Sequence, residues 1–379
     1  METTDEIKAR LAKMLQDTRE ERGMKLGEVA RLAGWKNYQT LSSIENGTRD
    51  VKASELSRLA RIYGKAMEYF LFGTRELDNV KVQWRAKGDK KRARIYEDRF
   101  KEYLQAYIRF ERINDDVRRF PLQQLQQEDV DWKWISHQAN ICAKSFGPRP
   151  AHILERVLER DYGVKIFYFH LGKAGSAAST IMDGHAGLLV NGEDAPWRRN
   201  FDLAHEFFHL LTWEIFPEKN IHCGSPGEKP VVEKYADTFA AALLMPPDEV
   251  LGEFNARVKD NRLTWLDCIG LAIEFGVSTE SLLYRLIHLR LLDEKQTNKF
   301  FKNKELWKLD KKTRKGLWHK RPELPERFIY LGFRAMMNGY LSRSKLAKYL
   351  CVHLSSLPEF LEKHQLSEEE DYSIDIATT

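Results

Sequence analysis

Cysteine is scarce in this chain, and long apolar runs are missing from it. Four of the 379 residues are cysteines and none forms a C-x-x-C pair, which favours a reducing compartment over a disulfide framework. No stretch approaches the roughly 18–20 consecutive apolar residues that a transmembrane helix needs, and residues 1–6 do not resemble a signal peptide. The sequence therefore predicts a cytoplasmic protein that makes no use of a membrane.

A strong excess of charge of one sign is also missing. The formal net charge is +5, with 42% hydrophobic and 31% charged residues, values that are ordinary for a folded protein. The isoelectric point near 8.8 permits contact with nucleic acid without requiring it. A length of 379 residues predicts two or three domains.

The pattern richest in chemistry is H-E-F-F-H at residues 205–209. On a helix, positions i and i+4 lie about 40° apart around the axis and about 6 Å apart along it. The imidazoles of His205 and His209 can therefore meet on one Zn²⁺ at about 2.0–2.1 Å. Glu206 follows the first histidine, where its carboxylate can act as a general base without binding the metal. The alternative is an amphipathic helix whose two histidines are satisfied internally.

A catalytic zinc site needs a third protein ligand. The extended pattern H-E-x-x-H-x-x-G-x-x-H is excluded, because Thr212 and Ile215 stand where it requires glycine and histidine. The helix predicted over residues 232–244 offers Glu233, which we favour, and Asp237 lies on the same face four residues later. Asp237 is the candidate acceptor for the second ring N–H of a ligating histidine. The competing third ligands are Glu214, His222 and Cys223.

Cys223 also suggests a latch. A thiolate is a strong zinc ligand, so this side chain could take the fourth metal position and hold an enzyme latent. An ordinary loop cysteine is the alternative interpretation.

The segments that carry these residues resemble the ImmA/IrrE family of zinc metallopeptidases. That family has an arginine-rich F-x-x-A-H-E-x-x-H helix and an E-x-E-A-N-x-F-A-x-x-L-L-M-P helix; this chain has RRNFDLAHEFFH at 198–209 and EKYADTFAAALLMP at 233–246. Tyr235 replaces the second glutamate of the family pattern, and Asp237 replaces its asparagine. The resemblance implies a peptidase that cuts a helix-turn-helix repressor, or that acts in a stress or mobile-element switch.

Residues 6–72 read as five short helices. Two of them, over 26–34 and 39–47, are joined by a short turn, and L-S-x-I-E-N-G at 41–47 resembles the XRE family of lambda-repressor and Cro-like helix-turn-helix domains. The resemblance implies binding to double-stranded DNA with the second helix in the major groove. Candidates for base contacts are Asn37, Gln39 and Ser43; candidates for phosphate contacts are Ser42, Asn46 and Arg49. A module that makes only protein contacts is the alternative.

The predicted fold class is mainly α with a small antiparallel β-sheet. Strands are expected over 164–169, 179–182 and 186–190, with the second pairing between the other two. A strand beside the metal helices could hold an extended substrate by β-augmentation. The predicted domains are a helix-turn-helix domain over 1–73, a basic and helical linker over 74–130, a zinc peptidase domain over 131–295, and a basic, helical C-terminal region with an acidic tail over 296–379.

Two further segments suggest partners. Residues 299–321 hold ten Lys or Arg, with Trp307 and Trp318 among them, a pattern that suits single-stranded nucleic acid as well as a solvated charged face. Aromatic residues between 100 and 110 recur at helical spacing, which predicts either core or the seam of a homodimer.

Together these patterns predict a DNA-binding regulator with zinc-dependent endopeptidase activity. The expected substrate is a helix-turn-helix repressor or this chain itself. The main rival is a non-proteolytic DNA-binding regulator that keeps zinc as a structural or sensory element. A pure protein-interaction scaffold would explain the terminal helices but not the histidine and glutamate pattern.

Overall fold

The chain folds into two compact units, Met1–Asn79 and Val80–Thr379. The computed structural model describes residues 4–63, 67, 70, 80–85, 90–122, 130–216 and 229–368. Across these residues the chain is mainly helical with one small sheet, which confirms the predicted fold class. No helix in this described part is both long and apolar enough to cross a membrane.

The first unit is built from short helices around one apolar core. Their bounds are α1 (Thr4–Glu21), α2 (Leu26–Leu32), α3 (Gln39–Glu45) and α4 (Ala53–Ile62). Leu15, Val29 and Leu41 are fully buried between them. Gly34 has a positive φ of 73° just after α2, a conformation that glycine adopts without steric cost and that ends a helix.

A buried ion pair joins α1 to α3. Arg19 donates to both carboxylate oxygens of Glu45 at 2.8–3.1 Å, and it also donates to the carbonyl oxygen of Met24 at 3.1 Å. The two charged residues are only 9% and 6% exposed. This fork-shaped contact fixes the predicted recognition helix on the first helix.

The second unit contains one four-stranded sheet. Its strands are β1 (Gln83–Arg85), β2 (Lys165–Phe169), β3 (Ala177–Met182) and β4 (His185–Asn191), in the order β1-β3-β4-β2. β3 pairs antiparallel with β1 and β4, whereas β2 and β4 run parallel. The sheet is thus mixed rather than wholly antiparallel, and β4, not β3, lies between the other two predicted strands.

The hairpin of β3 and β4, together with the pairing of β1 on β3, explains this correction. Asp183 and Gly184 both have positive φ, 50° and 75°, as in the tight hairpin turns that Asp-Gly favours. Such a turn makes β3 and β4 direct neighbours. β1 occupies the outer edge of β3, so the edge that remains for β2 is that of β4.

Helices cover both faces of the sheet. The α-helices described in the second unit are α5 (Lys90–Ile113), α6 (Trp132–Phe146), α7 (Leu154–Arg160), α8 (Pro196–Leu211), α9 (Val231–Leu244), α10 (Pro247–Arg257), α11 (Trp265–Glu274), α12 (Thr279–His288), α13 (Glu294–Phe301), α14 (Lys304–Arg314), α15 (Glu326–Met337), α16 (Arg343–Tyr349) and α17 (Leu357–Lys363). On one face Leu188 and Val190 share a core with α6, α7, α8 and α9. On the other face Phe167 and Leu189 share a core with α5 and α15.

Helix α5 lies in the segment predicted as a linker, yet it belongs to the same compact unit as the sheet. Its aromatic stripe is buried, and Tyr107 and Phe110 have ring centroids 5.5 Å and 5.1 Å from that of Phe328 on α15. The stripe is therefore core within one chain. Part of the predicted C-terminal region packs on this same face.

A buried charge cluster also holds these helices to the sheet. Glu111 of α5, which is fully buried, accepts from Arg327 of α15 at 2.5 Å and lies 3.2 Å from the Nζ atom of Lys165 on β2. Burial lowers the pKa of Lys165 to about 8, although Glu111 opposes this shift. Three distant parts of the sequence thus meet in one ionic contact.

Candidate metal centre and nucleic-acid face

Helix α8 carries the H-E-x-x-H pattern through the middle of the second unit. It starts at Pro196, whose fixed φ and missing N–H suit the first turn of a helix, and it packs against β3 and β4. Most residues of this helix are buried. Among them, His205 and His209 are only 0% and 4% exposed. Glu206 lies between them in sequence and is 1% exposed.

Three side chains converge at this point. The Nε2 atoms of His205 and His209 are 3.2 Å apart, and Glu233 of α9 places one oxygen 3.4 Å from the first and its other oxygen 3.3 Å from the second. A tetrahedral Zn²⁺ with bonds of about 2.0–2.1 Å separates its ligand atoms by about 3.3 Å. The donor set and its spacing therefore fit a zinc ion.

The position of Glu233 in α9 favours its charged form. It lies in the first turn of the helix, where the helix dipole stabilises a negative charge. Burial raises the pKa of its carboxyl, but hydrogen bonds with His205 and His209 outweigh burial and hold that pKa below its usual range. The side chain is therefore a carboxylate near neutral pH.

Asp237 lies one turn further along α9, behind the first histidine. Its Oδ1 atom is 3.0 Å from the Nδ1 atom of His205, and its Oδ2 atom forms an ion pair with Lys229. Burial raises the pKa of the Asp237 carboxyl, while the contacts with His205 and Lys229 lower it further than burial raises it. The contact with Lys229 carries no signal in the sequence and was not predicted.

Of the three competing third ligands, the structure describes only Glu214. Glu214 is exposed and does not belong to the cluster that His205, His209 and Glu233 form among the described residues. His222 and Cys223 lie outside the described residues, so the cysteine latch stays a prediction.

The predicted nucleic-acid face lies at the start of α3. Asn37 and Gln39 are exposed, Ser42 and Ser43 are half-buried, and Asn46 is exposed with its Nδ2 atom 3.4 Å from the Ser42 Oγ atom. Helices α2 and α3 are separated by residues 33–38. Of the side chains proposed for base contacts, Asn37 and Gln39 are thus exposed at the start of α3, whereas Ser43 is half-buried near the end of that helix.

Arg49 is placed differently from the other candidates. Its Nη2 atom donates to the Oε1 atom of Glu55 at 2.8 Å, and its Nη1 atom is buried. The guanidinium is therefore directed into the first unit, where it joins the loop before α4 to that helix. A phosphate contact by Arg49 stays a prediction that this internal contact does not favour.

Two segments of the chain match known families. Residues 159–287 match the peptidase M78 family, described as an IrrE N-terminal-like domain, and residues 15–70 match a helix-turn-helix family. The chain joins a helix-turn-helix domain to an IrrE-like domain. Both resemblances drawn from the sequence are thereby confirmed. Among curated proteins, none matches the chain.

The match to the IrrE-like domain contains β2, β3, β4 and helices α8 to α11 in full, and all of α12 except its last residue. The whole converging cluster therefore lies inside the match. Helix α5, β1 and the C-terminal helices lie outside it, although they complete the sheet and its second core.

The basic segment 299–321 packs onto the IrrE-like domain. The Arg314 guanidinium lies 4.6 Å from the Trp197 ring centroid, and the indole N–H of Trp318 donates to the carbonyl oxygen of Glu193 at 3.2 Å. The indole N–H of Trp307 donates to the carbonyl oxygen of Phe301 at 2.9 Å. Because both tryptophans have partners within the chain, single-stranded nucleic-acid binding gains no support here.

Proposed function

We propose that the chain is a cytoplasmic DNA-binding regulator whose IrrE-like domain is a zinc-dependent endopeptidase. One observation carries this proposal: the Nε2 atoms of His205 and His209 are 3.2 Å apart, and each lies 3.3–3.4 Å from one of the two carboxylate oxygens of Glu233, close to the spacing of ligand atoms around a tetrahedral zinc ion. Glu206 is buried beside this cluster on the same helix. A hydrolytic site needs a base next to its metal, and we assign that role to Glu206.

In this proposal, the zinc ion, Glu206 and Asp237 have different roles in peptide hydrolysis. When bound, zinc supplies Lewis acidity that activates water and polarises the peptide carbonyl. Glu206 accepts a proton from the attacking water and returns it to the nitrogen of the leaving amine. Asp237 accepts a hydrogen bond from the Nδ1–H of His205, which leaves the Nε2 lone pair of that ring directed at the cluster.

The proposed substrate is a helix-turn-helix repressor or the chain itself. A peptidase domain that shares a chain with a helix-turn-helix domain can be directed to regulatory proteins by DNA. Cleavage would then convert a binding event into an irreversible loss of a repressor. The rival function, a non-proteolytic regulator with a sensory zinc, makes no use of a carboxylate at position 206.

A cleavage assay with the full-length protein tests the proposal. Zinc-loaded protein is incubated with repressors encoded beside its gene, and fragments are identified by mass spectrometry. Glu206→Gln should retain one zinc per chain and lose cleavage by about 10²–10⁴-fold. If this variant binds zinc and regulates a reporter as the parent does, the endopeptidase proposal is wrong.

The DNA-binding part of the proposal rests on the exposed start of α3. Duplexes enriched from a random pool by the parent protein supply the target. Gln39→Ala should weaken binding to that target by about 1–3 kcal/mol, because an amide can pair with an adenine edge. Equal binding by this variant would remove Gln39 from the recognition face.

A further inference from the structure

The edge of β3 is covered by a strand from outside the IrrE-like match. Gln83 pairs with Ser179 and Trp84 pairs with Ala178 in an antiparallel ladder. The hydroxyl of Thr180 donates to the carbonyl oxygen of Lys81 at 2.6 Å, which extends the contact beyond the ladder. Without β1, the IrrE-like domain would present β3 as an open edge with unpaired backbone groups.

This edge lies on the side of the metal centre. Helix α8 packs against β3 and β4, whereas β2 at the opposite edge packs against α7. The side-chain amide of Gln83 donates to the carbonyl oxygen of Phe216 at 3.5 Å, and Phe216 follows shortly after α8. The Phe216 ring lies 6.5 Å from that of Tyr235, two residues after Glu233. β1 therefore borders the segments that carry the cluster.

An open strand edge beside a hydrolytic centre is a natural peptide-binding surface. Extended peptides add to such edges through main-chain hydrogen bonds, which depend little on sequence. We infer that the outer edge of β3 is the surface that binds extended peptide substrate, and that residues 81–85 of the chain itself occupy it. This inference rests on the proposed endopeptidase function and adds a resident strand that substrate must displace.

Side-chain packing holds the resident strand in place more than its short backbone ladder does. Val82 is 5% exposed and Trp84 is half-buried, and both pack in the core with α5. The indole N–H of Trp84 donates to the Oε2 atom of Glu97 at 3.4 Å, while Gln83 projects to the opposite face, as alternation in a strand requires. A three-residue ladder of this kind can open locally while the rest of the sheet stays folded.

A reversible lock tests whether β1 must leave. Gln83→Cys with Ser179→Cys places two thiols at directly paired positions, where Cα atoms about 4.5–5.5 Å apart suit a disulfide. Ser179→Cys alone is the matched control, and peptide mass mapping verifies the crosslink. The lock is built in Glu206→Gln protein so that a bound peptide is not cut.

The probe is a fluorescein-labelled synthetic peptide with the sequence of residues 80–88, followed by fluorescence anisotropy. Trp84→Ala should bind it at least tenfold more tightly than the parent. Phe360→Ala, which removes another half-buried aromatic ring from the same core, should bind it as the parent does. The oxidised lock should abolish binding, and dithiothreitol should restore it.

Equal binding by the parent, Trp84→Ala and the oxidised lock would overturn the inference, as would tighter binding by Phe360→Ala alone. A second arm uses protein with Glu206 intact and the repressors encoded beside its gene as substrates, where Trp84→Ala should raise the cleavage rate at least tenfold. Lock-dependent binding without cleavage in any variant would leave the inference standing and reject the proposed function. Cleavage that the oxidised lock does not slow would support the proposed function and overturn the inference.

Discussion

The Oδ1 atom of Asp237 lies 3.0 Å from the Nδ1 atom of His205, and it determines which nitrogen of that ring faces the cluster. A carboxylate beside Nδ1 keeps the proton there, so Nε2 presents a lone pair to a metal. Since Glu233 and Asp237 are four residues apart on α9, one helix face carries both the proposed third ligand and the carboxylate that contacts the first histidine.

Removing this orienting contact should weaken zinc binding without abolishing it. Asp237→Ala is expected to lower zinc affinity about 10–100-fold, the usual effect of losing a carboxylate behind a ligating histidine. Asp237→Asn should lose less, because its amide oxygen still accepts a hydrogen bond. Competitive titration against a chromophoric chelator measures both, and unchanged affinity in the alanine variant would contradict the orienting role.

The identity of the third ligand can be tested with two glutamates. Glu233→Ala should lower zinc affinity by more than about 100-fold, since it removes a ligand rather than a residue behind one. Glu214→Ala, which changes an exposed glutamate outside the cluster, should bind zinc like the parent. The same titration serves both variants. A larger loss in the Glu214 variant would reverse this assignment.

Breaking the buried pair between Arg19 and Glu45 should destabilise the first unit. Arg19→Met leaves a carboxylate buried without its partner and should lower the free energy of unfolding by about 3–5 kcal/mol. The double variant with Glu45→Met should recover much of this loss. Urea unfolding of the full chain, followed through its first transition, gives the values. Arg31→Met, at an exposed position on α2, is the control and should change little.

Glu159 should make stability depend on pH. Burial and the neighbouring Glu155 raise its pKa to about 7 from 4.5, so the folded state keeps a proton that the unfolded state loses between these values. The parent should therefore lose stability relative to Glu159→Gln as the pH rises from 4.5 to 7, by about 1–3 kcal/mol. Urea unfolding at pH 5 and pH 8 measures the difference. A pH-independent difference, or an equal one in exposed Glu362→Gln, would contradict it.

Local patterns in the sequence were sufficient to choose the three side chains that converge, but not to predict the sheet. His205 and His209 follow from helical spacing, and Glu233 from the face it shares with Asp237, since all three depend on neighbours within a turn. Asp183-Gly184 carries a hairpin signal, but the parallel pairing of β2 with β4 depends on which edge remains free. The short strand β1 lies in a basic stretch, and its partner β3 is far away in the sequence. No local sequence pattern therefore predicts the pairing of β1 with β3.

The ionic contact of Glu111 with Lys165 and Arg327 shows that the segment matched by the family lacks residues on which its own interior depends. The family match ends well before Arg327 and begins after Glu111. A polypeptide cut at the limits of that match would keep Lys165 but lose its carboxylate, and would turn Phe167 and Leu189 towards water. The part of the chain that can fold alone is therefore larger than the segment matched by the family. Residues outside every catalytic motif complete its hydrophobic core.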